Sequence, residues 1–296
     1  MKFFGTYTAL ITPFRNGTLD TAAYRQLIET QIASGIAGIV PVGTTGESPT
    51  LTTEEHTEVV RLAVELARGT VQVIAGTGSN STAEAVHLTQ EAEKLGADAA
   101  LLVAPYYNKP SQEGLYRHYQ KIAHSTSLPL ILYSIPGRCG VEIQAETVVR
   151  LASDCPNIVA LKEAGGDVER MSRLRTMLPS HFSLLSGDDS LTLPFLAVGA
   201  RGVISVASNI IPQEISQLVK AWHDGQPDIA LRFHLKYYTF FKSLFVESNP
   251  VPLKYALSLL GKSSAEVRLP LCELSVPSKE IVRRALEQIE LLPLTQ

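Results

Sequence analysis

The chain has 296 residues, 45% apolar and 19% charged, and carries a net charge of -3 from 26 basic and 29 acidic side chains. That length supports a large buried core, as one large domain or two smaller ones. With no basic excess, neither phosphate backbones nor anionic membranes are expected partners, so nucleic acid is set aside. Cys139, Cys155 and Cys272 show no Cys-x-x-Cys spacing, which argues against a disulfide framework and a thiolate metal site and makes a reducing cytoplasm the expected location. Segment 1–13 places a lysine ahead of apolar residues, as a secretion signal does, but its threonines and Pro13 break the apolar run and no small-residue cleavage site follows. It reads as the first strand. No run of about 18 apolar residues occurs, so no membrane span is expected. His118 and His124 lack the spacing of a helical metal pair and read as solvated helix positions; no metal is expected.

Short β-rich runs recur at 6–11, 38–42, 71–75, 99–104, 129–135, 158–162, 182–186 and 202–207. The segments between them have helical periodicity and start signals, such as the capping-box patterns Thr52-x-x-Glu55 and Ser81-x-x-Glu84. Near-continuous apolar strands such as 99–104 suit a sheet covered on both faces, hence parallel pairing with crossover helices. The alternation predicts an α/β fold, a (β/α)8 TIM barrel. An open doubly wound sheet is the competitor, but no Gly-x-Gly-x-x-Gly follows the first strand, and Gly76-Thr77-Gly78 lacks the third glycine and reads as a tight turn. After His223 the alternation stops, and 227–245, 250–260 and 278–290 read as helices. The expected organisation is a barrel over 1–224 that carries the active site and a C-terminal helical appendage over 225–296.

Lys162 lies in the apolar run Ile158-Val159-Ala160-Leu161-Lys162, where an ammonium is costly. A lysine amine ordinarily has a pKa of roughly 10.4, and it attacks a carbonyl only where burial or a neighbouring cation lowers that value. A strand-end lysine with its head in water is the ordinary alternative. In a barrel the active site lies at the carboxyl ends of the strands. That rule selects Gly43-Thr44-Thr45-Gly46-Glu47, Tyr106 and Tyr107, Tyr133 and Arg138, Lys162, Gly187-Asp188-Asp189, and 205–209. Thr44 and Thr45 could form a plain turn or hold a carboxylate through hydroxyls and backbone N–H groups. The tyrosines could be packed aromatics, and Arg138 a surface charge or a fork for a carboxylate. Asp188 and Asp189 would repel a sugar phosphate, which many barrels bind near the last two strands.

The loop Gly43-Thr44-Thr45-Gly46-Glu47, the segment Tyr133-x-x-Pro136-x-Arg138-x-Gly140, the Lys162 strand and Asn249-Pro250-Val251-Pro252-Leu253-Lys254 occur in an order and spacing that resembles the dihydrodipicolinate synthase and N-acetylneuraminate lyase superfamily, with the match to its synthase branch. The resemblance covers essentially the whole chain. It implies that Lys162 forms a Schiff base with pyruvate, whose enamine adds to the aldehyde of aspartate semialdehyde. It also implies a proton relay of Tyr133, Thr44 and Tyr107, with Tyr107 reaching into a partner subunit, so that a homodimer is the least catalytic unit and a homotetramer the expected assembly. Thr45 is implied for the pyruvate carboxylate, Arg138 for that of the semialdehyde, and Gly187 and Ile204 for the shape of the pocket. No metal or organic cofactor is implied.

Ser48, His56, Asn80, Glu84 and Tyr106 match positions that bind L-lysine in feedback-inhibited relatives, although Thr53 replaces a frequent histidine and Pro49 a frequent alanine. Glu84 could equally serve only to close the capping box with Ser81. Many synthases carry Asn and Thr where this chain has Ser134 and Cys139. Two other functions compete: a class I aldolase cleaving a sugar acid or 4-hydroxy-2-oxoglutarate, and a non-catalytic barrel. The lyases generally lack an arginine at the place of Arg138, and a non-catalytic barrel would have lost Lys162, Tyr133 or Thr44.

Overall fold

The structure, a computed structural model, describes residues 3–67 and 69–294; Met1 and Lys2, the start of the segment read as leading into the first strand, lie outside the described residues. β1 (Gly5–Ala9) is followed by a small antiparallel hairpin, β2 (Phe14–Arg15) and β3 (Thr18–Leu19), and then by β4 (Gly38–Val40), β5 (Gln72–Gly76), β6 (Ala99–Val103), β7 (Leu130–Ser134), β8 (Ile158–Glu163), β9 (Ser183–Ser186) and β10 (Gly202–Ser205). All but the hairpin form a closed barrel of parallel strands in which β1 pairs with both β4 and β10. Each β-rich run of the sequence is one of these barrel strands. The hairpin was not anticipated, because two residues per strand give no period to detect.

Side chains alternate across each strand, and both faces are covered. In β6, Ala99 and Leu101 point into the barrel while Ala100 and Leu102 pack under the surrounding helices. This double burial is why the strands are apolar throughout. The inner core is a cluster of Phe3, Tyr7, Val40, Ile74, Leu101, Ile131, Tyr133, Ala160, Leu185 and Ile204 with their neighbours. In β8 the register shifts: Leu130 faces Ile158 but Ile131 faces Ala160, so Val159 is an extra residue. Ile158 belongs to the outer core, whereas Val159 and Ala160 both meet the inner one. Counting on from Ala160, the period of two turns Lys162 inward.

Helix Thr53–Ala67 begins with a reciprocal capping box, in which Thr52 N–H donates to Glu55 Oε2 (3.0 Å) and Glu55 N–H to Thr52 Oγ1 (3.2 Å). At helix Thr82–Leu95 only half of the motif forms. Ser81 Oγ accepts from Glu84 N–H (3.4 Å), but the Glu84 carboxylate takes the Ser79 hydroxyl instead of the Ser81 N–H, which goes to Ser79 Oγ (3.0 Å). After the last barrel helix, Pro212–His223, come helices Pro227–Ser243, Val251–Leu259 and Val276–Gln288, the first packed on Pro212–His223 and the last on both of the others.

His118 corrects the expectation of a solvated position. It is buried on the inner face of helix Gln112–Ala123, with Nδ1 2.9 Å from Thr82 Oγ1 and its ring edge on Tyr119. His124 is exposed. Among the described residues no helix is long and apolar enough to cross a membrane, and no group of His, Cys, Asp and Glu is arranged to hold a metal ion.

Barrel closure depends on the β1–β10 seam, where a Cβ at Gly202 would lie 1.9 Å from the Gly5 carbonyl oxygen. Backbone fills that space, so neither strand can yield without breaking the ladder. Gly202→Ala is expected to destabilise the fold by about 3 kcal/mol or more; a urea midpoint equal to that of the parent chain would contradict this account of the seam.

Candidate active site

Lys162 ends the inward-facing row of β8, opposite Tyr133 on β7, and its Nζ lies 4.1 Å from the centroid of the Tyr133 ring. Only 6% of Lys162 is exposed, and burial lowers its pKa to about 7. The negative charge of Asp189 opposes that fall and the positive charge of Arg138 adds to it, but desolvation is the largest cause. Gly187 lets β9 pass alongside, since a Cβ there would sit 3.0 Å from Lys162 Cε and 2.7 Å from Ala164 Cβ. Ile204, buried on β10, supplies inner wall.

Tyr133 is also buried, which pushes its pKa up to about 12, partly offset by the nearby Thr44 hydroxyl and the positive charge of Arg138. Thr44 and Thr45 belong to a tight loop after β4. The amides of Gly46 and Ser48 donate to Gly43 O and that of Glu47 to Thr44 O. The N–H groups of Thr44 and Thr45 have no acceptor among the described residues. Thr45 Oγ1 accepts from Asn249 Nδ2 (3.0 Å), which leaves the threonine hydrogen free to donate. Two free amides and a hydroxyl donor together suit a carboxylate.

Arg138 sits on the helical turn Pro136–Cys139 after β7, and its Nη2 donates to the Asn249 carbonyl (3.2 Å). The hydroxyl of Ser134 accepts from Ile143 N–H (3.4 Å), and the Cys139 thiol is buried, its pKa pushed up to about 11. Asn249, which the sequence reading left without a role, is thus the backbone and side-chain link between Thr45 and Arg138. Its signal lay in Asn249-Pro250-Val251-Pro252-Leu253-Lys254, a polar residue ahead of two prolines. Asp188 and Asp189 do not form a pair of free carboxylates. Asp188 caps the turn that follows by accepting from Ser190 N–H (2.7 Å), while Asp189 is buried and accepts from Ser205 Oγ (2.5 Å), Val206 N–H (3.0 Å) and Ala207 N–H (2.9 Å). Burial raises the Asp189 pKa to about 6.

A cavity of about 460 Å³ joins Thr44, Tyr133, Arg138 and Asn249 to Ser48, His56, Glu84 and Tyr106. Lys162 is not on its wall; the Tyr133 ring against which Lys162 rests is. Asn80 lies beside it, donating from Nδ2 to Tyr106 O (3.2 Å). His56 is buried, and desolvation lowers its pKa, which favours the neutral ring. Its Nε2 lies 2.9 Å from the Gly76 carbonyl, which can only accept, so Nδ1 is left as an acceptor. Tyr107 is not brought into this site. It is 90% exposed, with a backbone φ of +72°.

The chain matches the model of the Dihydrodipicolinate synthetase family over residues 2–289. It is 51% identical over 291 residues to the 4-hydroxy-tetrahydrodipicolinate synthase of Sulfurihydrogenibium sp. (strain YO3AOP1), covering 98% of this chain and 99% of that protein. Among solved structures it is similar to the 4-hydroxy-tetrahydrodipicolinate synthase of Methylacidiphilum fumariolicum SolV, with a TM-score of 0.97, 55% identity and coverage of 98% and 96% of the two chains. It is also similar to a DHDPS from Cyanidioschyzon merolae with lysine bound, with a TM-score of 0.96, 45% identity and coverage of 99% and 100%. From end to end, then, in sequence and in barrel alike, the chain belongs to the dihydrodipicolinate synthetase family.

Proposed function

We propose that this chain condenses pyruvate with L-aspartate 4-semialdehyde through a Schiff base on Lys162, as a 4-hydroxy-tetrahydrodipicolinate synthase of lysine (diaminopimelate) biosynthesis. The observation that carries this reading is the desolvated amine of Lys162 beside Tyr133 at the carboxyl end of the barrel. Likeness along the whole chain to synthases so named supports condensation over sugar-acid cleavage.

Thr44 and Thr45 hold the pyruvate carboxylate, which turns the ketone carbon toward Lys162. The neutral amine adds to that carbon, water leaves, and the resulting iminium draws electrons as a methyl proton departs. The enamine carbon then attacks the aldehyde of the semialdehyde, whose own carboxylate is held by the Arg138 fork. The amino group of that substrate displaces Lys162 as the ring closes. Tyr133 stays protonated near neutral pH and passes protons through Thr44. Tyr107, exposed here, completes the relay in a second copy of the chain, so the working unit is at least a homodimer and the assembly a homotetramer. Residues 1–224 form the catalytic barrel and 225–296 the appendage, and the reaction runs in the cytoplasm without metal or organic cofactor.

L-Lysine occupies the far end of the cavity. Glu84, spared from the capping box, and the free Nδ1 of His56 offer acceptors for ammonium groups, with Ser48, Asn80 and Tyr106 around them. Because the same cavity reaches Thr44 and Tyr133, lysine bound there would act on the relay.

With pyruvate present, borohydride is expected to mark Lys162, and Lys162→Ala should abolish the mark and lower kcat for condensation by about a hundredfold or more. A chain that is trapped yet consumes no aspartate semialdehyde would be an aldolase instead. The trapping rate should rise with pH through a midpoint near 7, because below that value the amine binds a proton and loses its lone pair; a midpoint near 10 would show an ordinary solvated lysine. Millimolar lysine is expected to inhibit the parent chain and to act weakly on Glu84→Gln. Unchanged activity of the parent at that concentration would remove the regulatory site.

A further inference from the structure

The loop that presents Thr44 and Thr45 is held in an unfavourable shape. Val42 and Glu47, one on either side of it, have φ of +50° and +52°, a region that side chains bearing a Cβ avoid and a β-branched valine avoids most. Gly46 is wedged against Val42, where a Cβ would lie 3.0 Å from Val42 N, and its carbonyl accepts from Thr12 Oγ1 (2.7 Å). Such a backbone persists only when its surroundings fix it from outside. The surroundings come from the C-terminal appendage.

Glu47 is buried at 2% exposure and its carboxylate forms an ion pair with Lys254, whose side chain is fully enclosed. The other carboxylate oxygen accepts from Arg268 N–H (3.1 Å). Lys254 Nζ donates as well to Glu266 O (2.9 Å) and lies 4.1 Å from the Phe14 ring centroid, with the Arg268 guanidinium 4.2 Å from the same ring. Arg268 in turn forks onto Glu55 with two contacts of 2.6 Å and donates to Thr50 O (3.0 Å). Residues 47–55 are therefore tied at several points to 254–268, with both buried charges satisfied. A buried ion pair is a weak source of stability, because desolvation offsets most of its attraction, but it fixes geometry.

We propose that Lys254 is a positioning residue for the reaction: by pairing with Glu47 inside the fold it locks the catalytic loop in the one conformation that sets Thr44 against Tyr133. The inference rests on the relay reading given above. Lys254 touches neither substrate nor the reacting atoms and acts through Thr44. The Lys162 amine stands on β8, outside the loop, so it still forms the Schiff base at saturating pyruvate when the lock is lost, while proton transfer slows.

The test is a double-mutant cycle on kcat for condensation using Lys254→Met, Thr44→Val and the two together. Lys254→Met is expected to lower kcat by about tenfold to a hundredfold, the scale of a small misplacement of a catalytic group, with borohydride and pyruvate still marking Lys162. On top of Thr44→Val it should cost little more, because the group it positions is already gone. If its loss is the same factor in both backgrounds, Lys254 acts as structure alone and the proposal falls while the relay stands. If Thr44→Val by itself leaves kcat unchanged, the relay falls and this inference with it. Should the unpaired Glu47 prevent Lys254→Met from folding, Glu47→Gln with Lys254→Met removes both charges and is read in the same cycle with the same outcomes.

Discussion

The balance of charge and solvent at one amine governs the rest of the molecule. Lys162 is enclosed away from water, and that burial lowers its pKa to about 7, so near neutral pH a large share of the amine is uncharged. Asp189 sets the limit of that effect, since its buried carboxyl draws the amine back toward its protonated form, while Arg138 pushes the other way. Desolvation prevails over both. Asp189 is itself shifted to about 6, because burial raises it while the hydrogen bonds of Ser205, Val206 and Ala207 bring it down. The turns after the last two barrel strands thus hold a buried carboxyl whose charge acts on the Lys162 nitrogen.

Around that amine the labour is divided by element. β7 and β8 place Tyr133 and Lys162 at paired positions on one ladder. The loop after β4 supplies free amides and hydroxyls, which a strand could not offer because its amides are spent on pairing. The appendage reaches back over the barrel mouth, where Asn249 holds Thr45 and Arg138, and Lys254 holds Glu47. Loops that carry function tend to be mobile, and this one is fastened by the tail.

Much of this was legible in the chain. Eight apolar runs between helical segments point to a barrel because both faces of each strand must be covered, and that requirement writes itself into composition. Lys162 could be singled out because an ammonium among apolar neighbours is out of place. Other features left no local trace. His118 looks like a surface histidine on a polar helix, and only the packing of Thr82 and Tyr119 encloses it. Asp188 and Asp189 look alike in sequence, yet one caps a turn and the other is buried under β10. Glu84 fits a capping box, but Ser79 takes its carboxylate and leaves it facing the cavity.

By itself the sequence determined the order of the barrel strands and the helical segments between them, the layer architecture, and the set of polar residues at the strand ends, because each depends on periodicity or on a residue out of keeping with its neighbours. Only the tertiary structure decided which way Lys162 points, since the extra residue Val159 shifts the phase of β8 by one and no periodicity shows a shift made by pairing with β7. It also decided which charges meet. Glu47 and Lys254 are far apart along the chain, and their pairing depends on the appendage folding back over the barrel, a contact of high sequence separation that no local pattern encodes.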